Sequence, residues 1–327
     1  MQKNREWRPS ASFSNLHARA KMLAQIRAFF QERNILEVET PLMCTSAATD
    51  PYLKPIPIAS LPSQALAEQN FYLQTSPEFA MKRLLAAGSG PIYQICKAFR
   101  DDEVGRLHNP EFTILEWYRP GFDHHALMDE VEAFLCAILE SPSAERLTYE
   151  AVFKRMLGFN PHEASLQQLK DCAASQGISI TANVANTLTI DDWLDLLMTH
   201  SIEPHLGFQC PTMIYDYPAS KAALAKIRSE KPAVAERFEV YIQGIELANG
   251  YHELTDPEIQ LNRFKEDCHS RETLGYPPIP IDLFLLDALK AGLPSSAGVA
   301  LGVDRLLMLK LETHEIQEVV AFTIERV

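Results

Sequence analysis

Apolar side chains recur at helical spacing along residues 16–34, and this pattern predicts an amphipathic helix with Ser14 as a candidate N-cap. The same spacing predicts helices over residues 77–87 and 258–275, with Pro77 in the first turn of the former. These segments are polar on one side and apolar on the other. We therefore expect each of them to cover a sheet or another helix.

Two pairs of apolar runs predict two strand hairpins. The first pair is IYQICKAFR at 92–100 with FTILEWYR at 112–119, and the second is FEVYIQG at 238–244 with IELANGYHEL at 245–254. From about residue 124 to residue 235 the pattern is mostly helical, and we interpret this stretch as an insertion within a single domain. Hairpins combined with helices predict an α+β fold, with an antiparallel sheet flanked by helices.

Composition narrows the class of protein. The 327 residues are 46% hydrophobic and 22% charged, as in an ordinary globular chain. The amino terminus lacks the apolar run of a signal peptide, and no segment is apolar enough to span a bilayer, so we expect a cytoplasmic protein. The six cysteines form no CxxC pair, which argues against a cysteine zinc site or a disulfide framework. A net charge of −13 argues against sequence-independent binding of nucleic acid, although it does not exclude a local basic patch for tRNA.

The first group of candidate functional residues surrounds Arg100, which ends an apolar strand and precedes an acidic loop that contains a histidine. A guanidinium held on a strand presents a planar fork of donors suited to a phosphate. On the returning strand Phe112, Glu116 and Tyr118 alternate onto one face. The aromatic ring can stack on a nucleobase, and the carboxylate and phenol can bind a cationic substrate. The alternative is a solvated hairpin with a surface ion pair.

The second group is a pair of carboxylates, Glu239 and Glu246, on either side of a turn at residues 243–244. In a regular two-residue hairpin Glu239 faces Ala248, and Glu246 lies diagonally on the same face. Two carboxylates on one face suggest a Mg²⁺ site that also takes phosphate oxygens. Glu253 lies further along the strand, where an ammonium group is a suitable partner. The alternative is an acidic ribbon that faces solvent.

The third group is a strand with small side chains that runs into a helix. Gly298, Ala300 and Gly302 alternate along it, so one face lacks bulk and a ligand can approach closely. Asp304 is a candidate cap of the following helix, and Arg305 lies in its first turn, where the helix end and the guanidinium both attract phosphate. Tight packing of a helix on the strand is the alternative.

Taken together and in this order, these groups resemble the three signature motifs of the class II aminoacyl-tRNA synthetases, and above all the catalytic domain of the lysyl-tRNA synthetases. The resemblance extends from roughly residue 15 to the end of the chain. ILEVETPLM resembles the dimer-forming first motif, FRDDEVGRLHNPEFTILEWY the second and GVALGVDRL the third. ELANGYHEL resembles the segment between the last two, and YLQTSPE the loop that recognises the amino group. The resemblance implies a homodimer that uses ATP and Mg²⁺ to form an aminoacyl adenylate.

The same resemblance implies a role for each matching residue. It implies that Arg100 contacts the α-phosphate, that Phe112 stacks on adenine and that Arg305 grips the γ-phosphate, with Arg100 and Arg305 as the catalytic residues. ATP would also be bound by Asp102, His108, Asn109 and Gly302, and Mg²⁺ by Glu239 and Glu246. The amino group nearest the carboxylate would be received by Glu78 and Glu116, and the terminal amino group by Tyr118 and Glu253. Ser76, Asn249, Tyr251 and Ala300 complete the implied amino-acid site.

Departures from the lysyl-tRNA synthetase pattern point to a particular branch. The chain begins about a dozen residues before the matching region, so we expect no anticodon-binding domain. Ala300 replaces the usual middle glycine of the third motif, and Asp102 stands where a glutamate is usual, so its carboxylate reaches one methylene less far toward adenine. A core of this kind resembles the family of elongation factor P–(R)-β-lysine ligases. That resemblance implies (R)-β-lysine as substrate, a lysine side chain of elongation factor P as acceptor, and no tRNA.

Three other interpretations remain open at this point. One is a free-standing lysyl-tRNA synthetase-like enzyme that charges tRNA. Another is a ligase that forms asparagine, which Tyr118 and Glu253 disfavour because they suit a second amino group. The third is an amino-acid sensor without catalytic activity, although such proteins usually lack a motif arginine or a metal carboxylate, and this chain retains both.

Overall fold

A computed structural model describes residues 7–59, 70–101 and 103–327 of the chain. The fold divides into two compact units, one formed by Met1–Phe122 with Thr255–Val327 and the other by Asp123–Leu254. Each unit is described by itself, and its helices and strands are numbered in chain order. The structure combines helices with antiparallel strands, as the α+β prediction requires.

The first unit contains a sheet of the strands β1 (Leu36–Glu37), β5 (Ile92–Phe99), β6 (Glu111–Pro120) and β12 (Ser296–Gly302). β1 runs parallel to β5, whereas β5 with β6 and β6 with β12 are antiparallel. A smaller sheet is formed by β2 (Met43–Cys44), β3 (Pro57–Ile58) and β4 (Phe71–Leu73). The ILEVETPLM segment is therefore strand only at its two ends, and its middle carries no regular hydrogen-bonded structure.

The helices of the first unit are α1 (Phe13–Glu32), α2 (Glu78–Ala86), α8 (Pro257–Thr273), α9 (Leu283–Gly292) and α10 (Val303–Leu311). The N-cap of α1 is Ser12, whose side chain accepts from the Asn15 amide, so the prediction of Ser14 is wrong by two residues. Asp282 caps α9 in the same way. The α9 segment is a helix that the apolar pattern did not single out.

The sheet of the first unit has one apolar face and one face with polar and small side chains. On the apolar face Phe30 of α1 stacks on Tyr93 with ring centroids 4.3 Å apart and meets Trp117 edge-on at 5.3 Å. Tyr93 and Trp117 are direct cross-strand partners. Because side chains alternate along a strand, the neighbouring residues Glu116 and Tyr118 belong to the opposite face. Burial of the aromatic face thus fixes which side chains of β6 are left for chemistry.

The second unit contains the helices α3 (His124–Leu139), α4 (Tyr149–Leu157), α5 (Leu166–Ser175), α6 (Ala182–Ala185) and α7 (Ile190–Leu197). Its strands are β7 (Glu145–Thr148), β8 (Thr212–Pro218), β9 (Ile227–Arg228), β10 (Val234–Ile242) and β11 (Ile245–His252). The strand order is β11-β10-β8-β7, and β9 pairs with β10. α3 packs on β10 and β11, and a core around Tyr149, Phe153 and Trp193 lies among α4, α5, α7 and the strands.

A β-bulge interrupts the hairpin of β10 and β11. Tyr241 pairs with Glu246, but Val240 pairs with Ala248, so Leu247 is the extra residue. Glu239 consequently pairs with Asn249, and the expected pairing with Ala248 is wrong by one residue. A bulge shifts the alternation of side chains by one position. As a result Glu246 and Asn249, three residues apart, both lie on the face that carries Glu239.

Among the helices of the described ranges, none combines the length and the apolar composition needed to cross a lipid bilayer.

Candidate active site

In the first unit, Arg100 follows β5 and is held in place by its own strand pair. Its amide donates to the Pro110 carbonyl at 2.9 Å, and its guanidinium carbon lies 5.0 Å from the centroid of the Phe112 ring. One terminal nitrogen forms an ion pair with Glu103 at 3.4 Å. The buried Nε has no hydrogen-bond partner within the described ranges. The guanidinium therefore retains a donor for an additional acceptor such as a phosphate oxygen.

His108 and Arg305, which lie far apart in the sequence, are in contact. A terminal nitrogen of Arg305 donates to His108 Nε2. Burial lowers the pKa of His108, and the nearby positive charge of Arg305 lowers it further. Both effects favour the neutral imidazole, which can accept this hydrogen bond. The pairing joins two of the residues predicted to bind ATP.

Asn109 is buried, and both ends of its amide bind the backbone. Its Nδ2 donates to the Glu111 carbonyl at 2.7 Å, and its Oδ1 accepts from the Ile324 amide at 2.9 Å. Asn109 therefore holds the loop after Arg100 against the carboxyl-terminal segment. The neighbouring predicted residue Asp102 lies outside the described residues.

A buried carboxylate cluster occupies the polar face of β6. Glu116 is only 2% exposed, and it accepts from Tyr118 Oη at 2.6 Å and from Ser76 Oγ at 2.9 Å. Ser76 Oγ also accepts from the Glu78 amide at 3.0 Å. Four residues that the sequence predicted for the amino-acid site are thus brought together by β6 and the start of α2.

Lys82 is a member of this cluster that the sequence analysis missed. Its Nζ lies 2.6 Å from the Glu78 carboxylate, and the residue is 2% exposed. The two side chains are four residues apart on α2, so they lie on the same side of the helix. This spacing was the available signal, because a lysine on the apolar side of a helix needs an anionic partner. Lys82 offsets part of the negative charge that Glu78 and Glu116 place there.

The strand with small side chains lies directly beside this cluster. In the antiparallel pair of β6 and β12, Gly298 is opposite Tyr118 and Ala300 is opposite Glu116. The methyl group of Ala300 therefore lies next to the buried carboxylate. A methyl group added at Gly302 would meet the Arg305 side chain at 3.7–3.8 Å, an ordinary contact, so this glycine is not required for space.

Asp304 does not cap α10, contrary to the prediction. The N-cap position is Gly302, and the Asp304 carboxylate accepts from Arg19 at 2.7 Å and from the Thr113 amide at 2.8 Å. Arg19 also donates to Thr113 Oγ1 at 2.7 Å. Asp304 thus fastens α10 to α1 and β6, and this fixes the start of the helix from which Arg305 projects.

In the second unit, Glu239 is the centre of a hydrogen-bond network. It accepts from Tyr217 Oη at 2.6 Å, from Tyr241 Oη and from Arg237, and Asn249 Nδ2 lies 3.4 Å away. The sequence analysis missed Arg237, although its position two residues before Glu239 on a strand places both on one face. The Asn249 Oδ1 atom is buried without a hydrogen-bond partner among the residues described.

Glu203 adds a third carboxylate near Glu239 and Glu246. Burial raises its pKa to about 7, and the negative charges of Glu239 and Glu246 contribute in the same direction. It follows a π-helical turn at Met198–Ile202, a local geometry found frequently at functional sites. No periodic pattern in the sequence marks this position, because Glu203 begins a 3-10 helix, Glu203–His205, that is too short to show one. The coupling of Glu203 to Glu239 and Glu246 concentrates negative charge, which attracts a divalent cation.

The bulge determines the neighbours of this carboxylate group. Tyr251 pairs with Arg237, and Asn249 pairs with Glu239, so both lie on the Glu239 face. Glu253 follows β11, forms an isolated bridge with Ala225 and is 1% exposed. The predicted residues Glu239, Glu246, Asn249 and Tyr251 therefore share one face of β10 and β11.

Comparison with known proteins places these groups of residues in a family. Residues 2–326 match the model of the class II tRNA synthetases (D, K and N). The chain is 50% identical over 327 residues to the elongation factor P–(R)-β-lysine ligase of Enterobacter sp. (strain 638), with 100% of both chains covered. It is 53% identical over 323 residues to the protein of that name from Vibrio cholerae, with 99% of each covered, and 51% identical over 327 residues to that from Yersinia enterocolitica, with 100% of each covered. The protein belongs to the class II tRNA synthetase family (D, K and N).

Proposed function

We propose that this protein activates (R)-β-lysine with ATP and transfers it to a lysine side chain of elongation factor P. Membership of the class II family implies use of ATP. The observation that carries the choice of amino acid is the buried Glu116, held by Ser76 and Tyr118 and placed opposite Ala300. The full-length relatives that carry the ligase name support the choice of acceptor.

Activation requires attack of the substrate carboxylate on the α-phosphorus of ATP, with release of pyrophosphate. The carboxylate is already ionised and needs no general base, so catalysis consists of positioning and of stabilising charge on the phosphate. Arg100 is proposed to contact the α-phosphate, since its buried Nε is a donor without a partner in the described ranges. The Phe112 ring is proposed to stack on adenine. Arg305, with His108 beside it, is proposed to bind the γ-phosphate.

In the second unit the coupled carboxylates are proposed to hold Mg²⁺. Glu239 and Glu246 are the proposed ligands, and Glu203 is a third carboxylate within electrostatic reach. Burial is the main cause of the raised pKa of Glu203, and the negative charges of Glu239 and Glu246 add to it. When bound, Mg²⁺ would neutralise negative charge on the phosphates of ATP. Arg237, Tyr217 and Tyr241 orient the Glu239 carboxylate for this contact.

The amino groups of the substrate are assigned to buried carboxylates. Glu78 and Glu116 are proposed to receive the amino group nearest the substrate carboxylate, with Ser76 as a support. Tyr118 and Glu253 are proposed to bind the terminal amino group, and Asn249 and Tyr251 to line its path. A buried carboxylate discriminates strongly against a substrate whose amino group is displaced, because the carboxylate is then left unpaired.

A homodimer is proposed from the first motif. Leu36 is 56% exposed, and Leu42 and Met43 are 39% and 41% exposed, although all three are large apolar side chains close together in sequence. Exposed apolar residues that cluster mark surfaces for protein contact. The working compartment is proposed to be the cytoplasm, where elongation factor P acts, and the reaction is proposed to involve no tRNA.

The test is ATP–pyrophosphate exchange with purified protein and (R)-β-lysine, α-lysine or aspartate, followed by transfer assays with elongation factor P and with tRNA. We expect exchange to be fastest with (R)-β-lysine and label to appear on elongation factor P. Absence of exchange with every amino acid would overturn the catalytic proposal and favour a sensor. Exchange with efficient charging of tRNA would overturn the proposed acceptor and leave adenylate formation in place.

A further inference from the structure

A second group of polar side chains lies on the other face of β10 and β11. Because Arg237 pairs with Tyr251, the adjacent residues Glu236 and His252 are also cross-strand neighbours. Side chains alternate, so this pair points away from Arg237 and Glu239. Glu236 Oε2 contacts His252 Nδ1 directly. α3 packs against both strands, and its first residue is His124.

His124, Glu236 and His252 converge on one point. Each offers one ligand atom, and these atoms lie within 4.8 Å of one another. Ligand atoms of a tetrahedral zinc site are about 3.3–3.5 Å apart, as follows from bonds of about 2.0–2.2 Å. Side-chain rotations that bring the atoms about 1 Å closer would therefore complete the geometry.

The His124 imidazole provides independent support for a bound ligand. The residue is only 2% exposed, and neither ring nitrogen has a hydrogen-bond partner within the described parts of the chain. A buried polar group left without a partner costs about 1–3 kcal/mol. Coordination through one ring nitrogen would satisfy the group.

Asp216 offers a fourth ligand. It lies on β8 beside Glu236, in a left-handed backbone conformation with φ of 58°, where the register between β8 and β10 shifts. Its Oδ2 accepts from Arg228 at 2.6 Å, whereas Oδ1 lies 3.4 Å from His124 Nε2 without a hydrogen bond to any described residue. Around the two imidazoles there are more negative than positive side chains: three carboxylates, Asp123, Asp216 and Glu236, and one guanidinium, Arg228. The local charge therefore favours a cation.

We infer that His124, Glu236 and His252, with Asp216 as fourth ligand, form a Zn²⁺ site in the second unit, separate from the proposed Mg²⁺ carboxylates on the opposite face. Two imidazoles and carboxylates suit zinc and its neighbours among the transition metals, whereas Mg²⁺ and Ca²⁺ prefer oxygen ligands alone. Such an ion would fasten the start of α3 to β8, β10 and β11. The role is structural, because it joins α3 to strands on which the helix otherwise packs.

The test measures Zn²⁺ binding by the full-length protein after metal removal with EDTA and dialysis. Competition with a chromophoric chelator and elemental analysis should give one Zn²⁺ per chain and a higher melting temperature with the metal. Glu236→Gln and His124→Ala should each weaken binding by at least about 100-fold, since loss of an outer-shell partner alone costs up to that much. His125→Ala is the matched control, because His125 is exposed and its ring lies 4.1 Å from that of His124. It should bind Zn²⁺ as the wild type does, because His125 is not among the residues whose ligand atoms converge.

Cobalt distinguishes this site from the free cysteines. Co²⁺ bound to nitrogen and oxygen ligands gives visible absorption without the near-ultraviolet thiolate band that cysteine coordination would add. Wild-type protein that takes up no stoichiometric Zn²⁺, or variants that bind as tightly as wild type, would overturn the inference and leave Glu236 and His252 as an ion pair. If His124→Ala does not fold, Glu236→Gln and His252→Asn provide the same comparison. Pyrophosphate exchange measured in parallel separates the two proposals, because metal binding is measured without substrates.

Discussion

Replacing Ala300 with glycine tests how this protein selects its amino acid. Ala300 lies directly opposite Glu116 in the antiparallel pair of β6 and β12. The Cβ atoms of such partners are about 4.5–5.5 Å apart, so the methyl group occupies space that an amino group approaching Glu116 would need. Ser76 and Tyr118 hold the Glu116 carboxylate, so it cannot easily move aside. We expect Ala300→Gly to improve the use of α-lysine relative to (R)-β-lysine.

The size of the effect follows from packing. One excess methyl group in a close-packed site costs about 1–3 kcal/mol. At about 1.4 kcal/mol for each factor of ten, the ratio of kcat/KM for α-lysine to that for (R)-β-lysine should rise roughly 5- to 150-fold. Glycine in a strand also destabilises the fold by about 0.5–1 kcal/mol, which lowers the melting temperature but does not alter a ratio of substrates.

The assay is pyrophosphate exchange over a range of concentrations of each amino acid. Ala297→Gly is the matched control, because it makes the same change in the same strand on the opposite face, where Ala297 pairs with Arg119. The control should lose stability without a change in the ratio. An unchanged ratio in Ala300→Gly, or an equal change in both variants, would refute the argument that this methyl group sets specificity.

Three further predictions concern charged side chains. Lys82→Met should lower the free energy of unfolding by about 3 kcal/mol in urea titrations, because Glu78 loses the partner that lies 2.6 Å away. The double variant Lys82→Met with Glu78→Gln should recover part of this loss. A double variant as unstable as Lys82→Met alone would contradict the pairing. Because the pKa of Glu203 is raised to about 7, the fold favours its protonated form, and the wild type should lose stability as pH rises from about 4.5 through 7. Without Mg²⁺, Glu203→Gln should therefore be more stable than the wild type at pH 8 and nearly equal to it at pH 4.5. If the free energies of unfolding from denaturant titrations changed equally with pH in both proteins, the predicted destabilisation by ionised Glu203 would be contradicted. His108→Ala removes the acceptor of an Arg305 hydrogen bond, so KM for ATP in pyrophosphate exchange should rise about 10-fold, with little change in KM for the amino acid. An unchanged KM for ATP would show that His108 does not position Arg305 for ATP binding.

Local periodicity was sufficient to predict three helices and the two strand hairpins. The helix predicted at residues 16–34 is Phe13–Glu32, and that predicted at 258–275 is Pro257–Thr273. The first residue of a helix is harder to predict, because more than one nearby serine can serve as the N-cap, as Ser12 and Ser14 could for α1. The capping assignment of Asp304 failed for a different reason. A carboxylate at a helix start can also bind groups from remote segments, and here Arg19 and Thr113 provide them.

The site was predictable where chemistry follows strand alternation. Phe112, Glu116 and Tyr118 share a face of β6 because the residues between them, such as Trp117, pack in the aromatic core on the other face. The register of β10 and β11 was not predictable, since a bulge at Leu247 depends on packing on both faces of the pair. Glu203 was also missed, because only the folded chain brings it near Glu239 and Glu246. Membership of the class II family, by contrast, was indicated by the motifs alone and is confirmed.

The extra residue Leu247 changes which positions of β11 lie on the face that carries Glu239. Before Leu247, the even-numbered Glu246 lies on the face of Glu239. After Leu247, the odd-numbered residues, including Tyr251, lie on that face, and His252 faces α3. If Leu247 instead paired with Val240 in a regular hairpin, the two sets beyond it would be exchanged, so that His252 lay on the face of Arg237 and Tyr251 faced the helix. Substitutions can refine either face independently, but the bulge determines which residues belong to which face. We therefore expect β11 to tolerate substitutions more readily than a single-residue insertion between Ala248 and His252, which would move His252 to the face of Arg237.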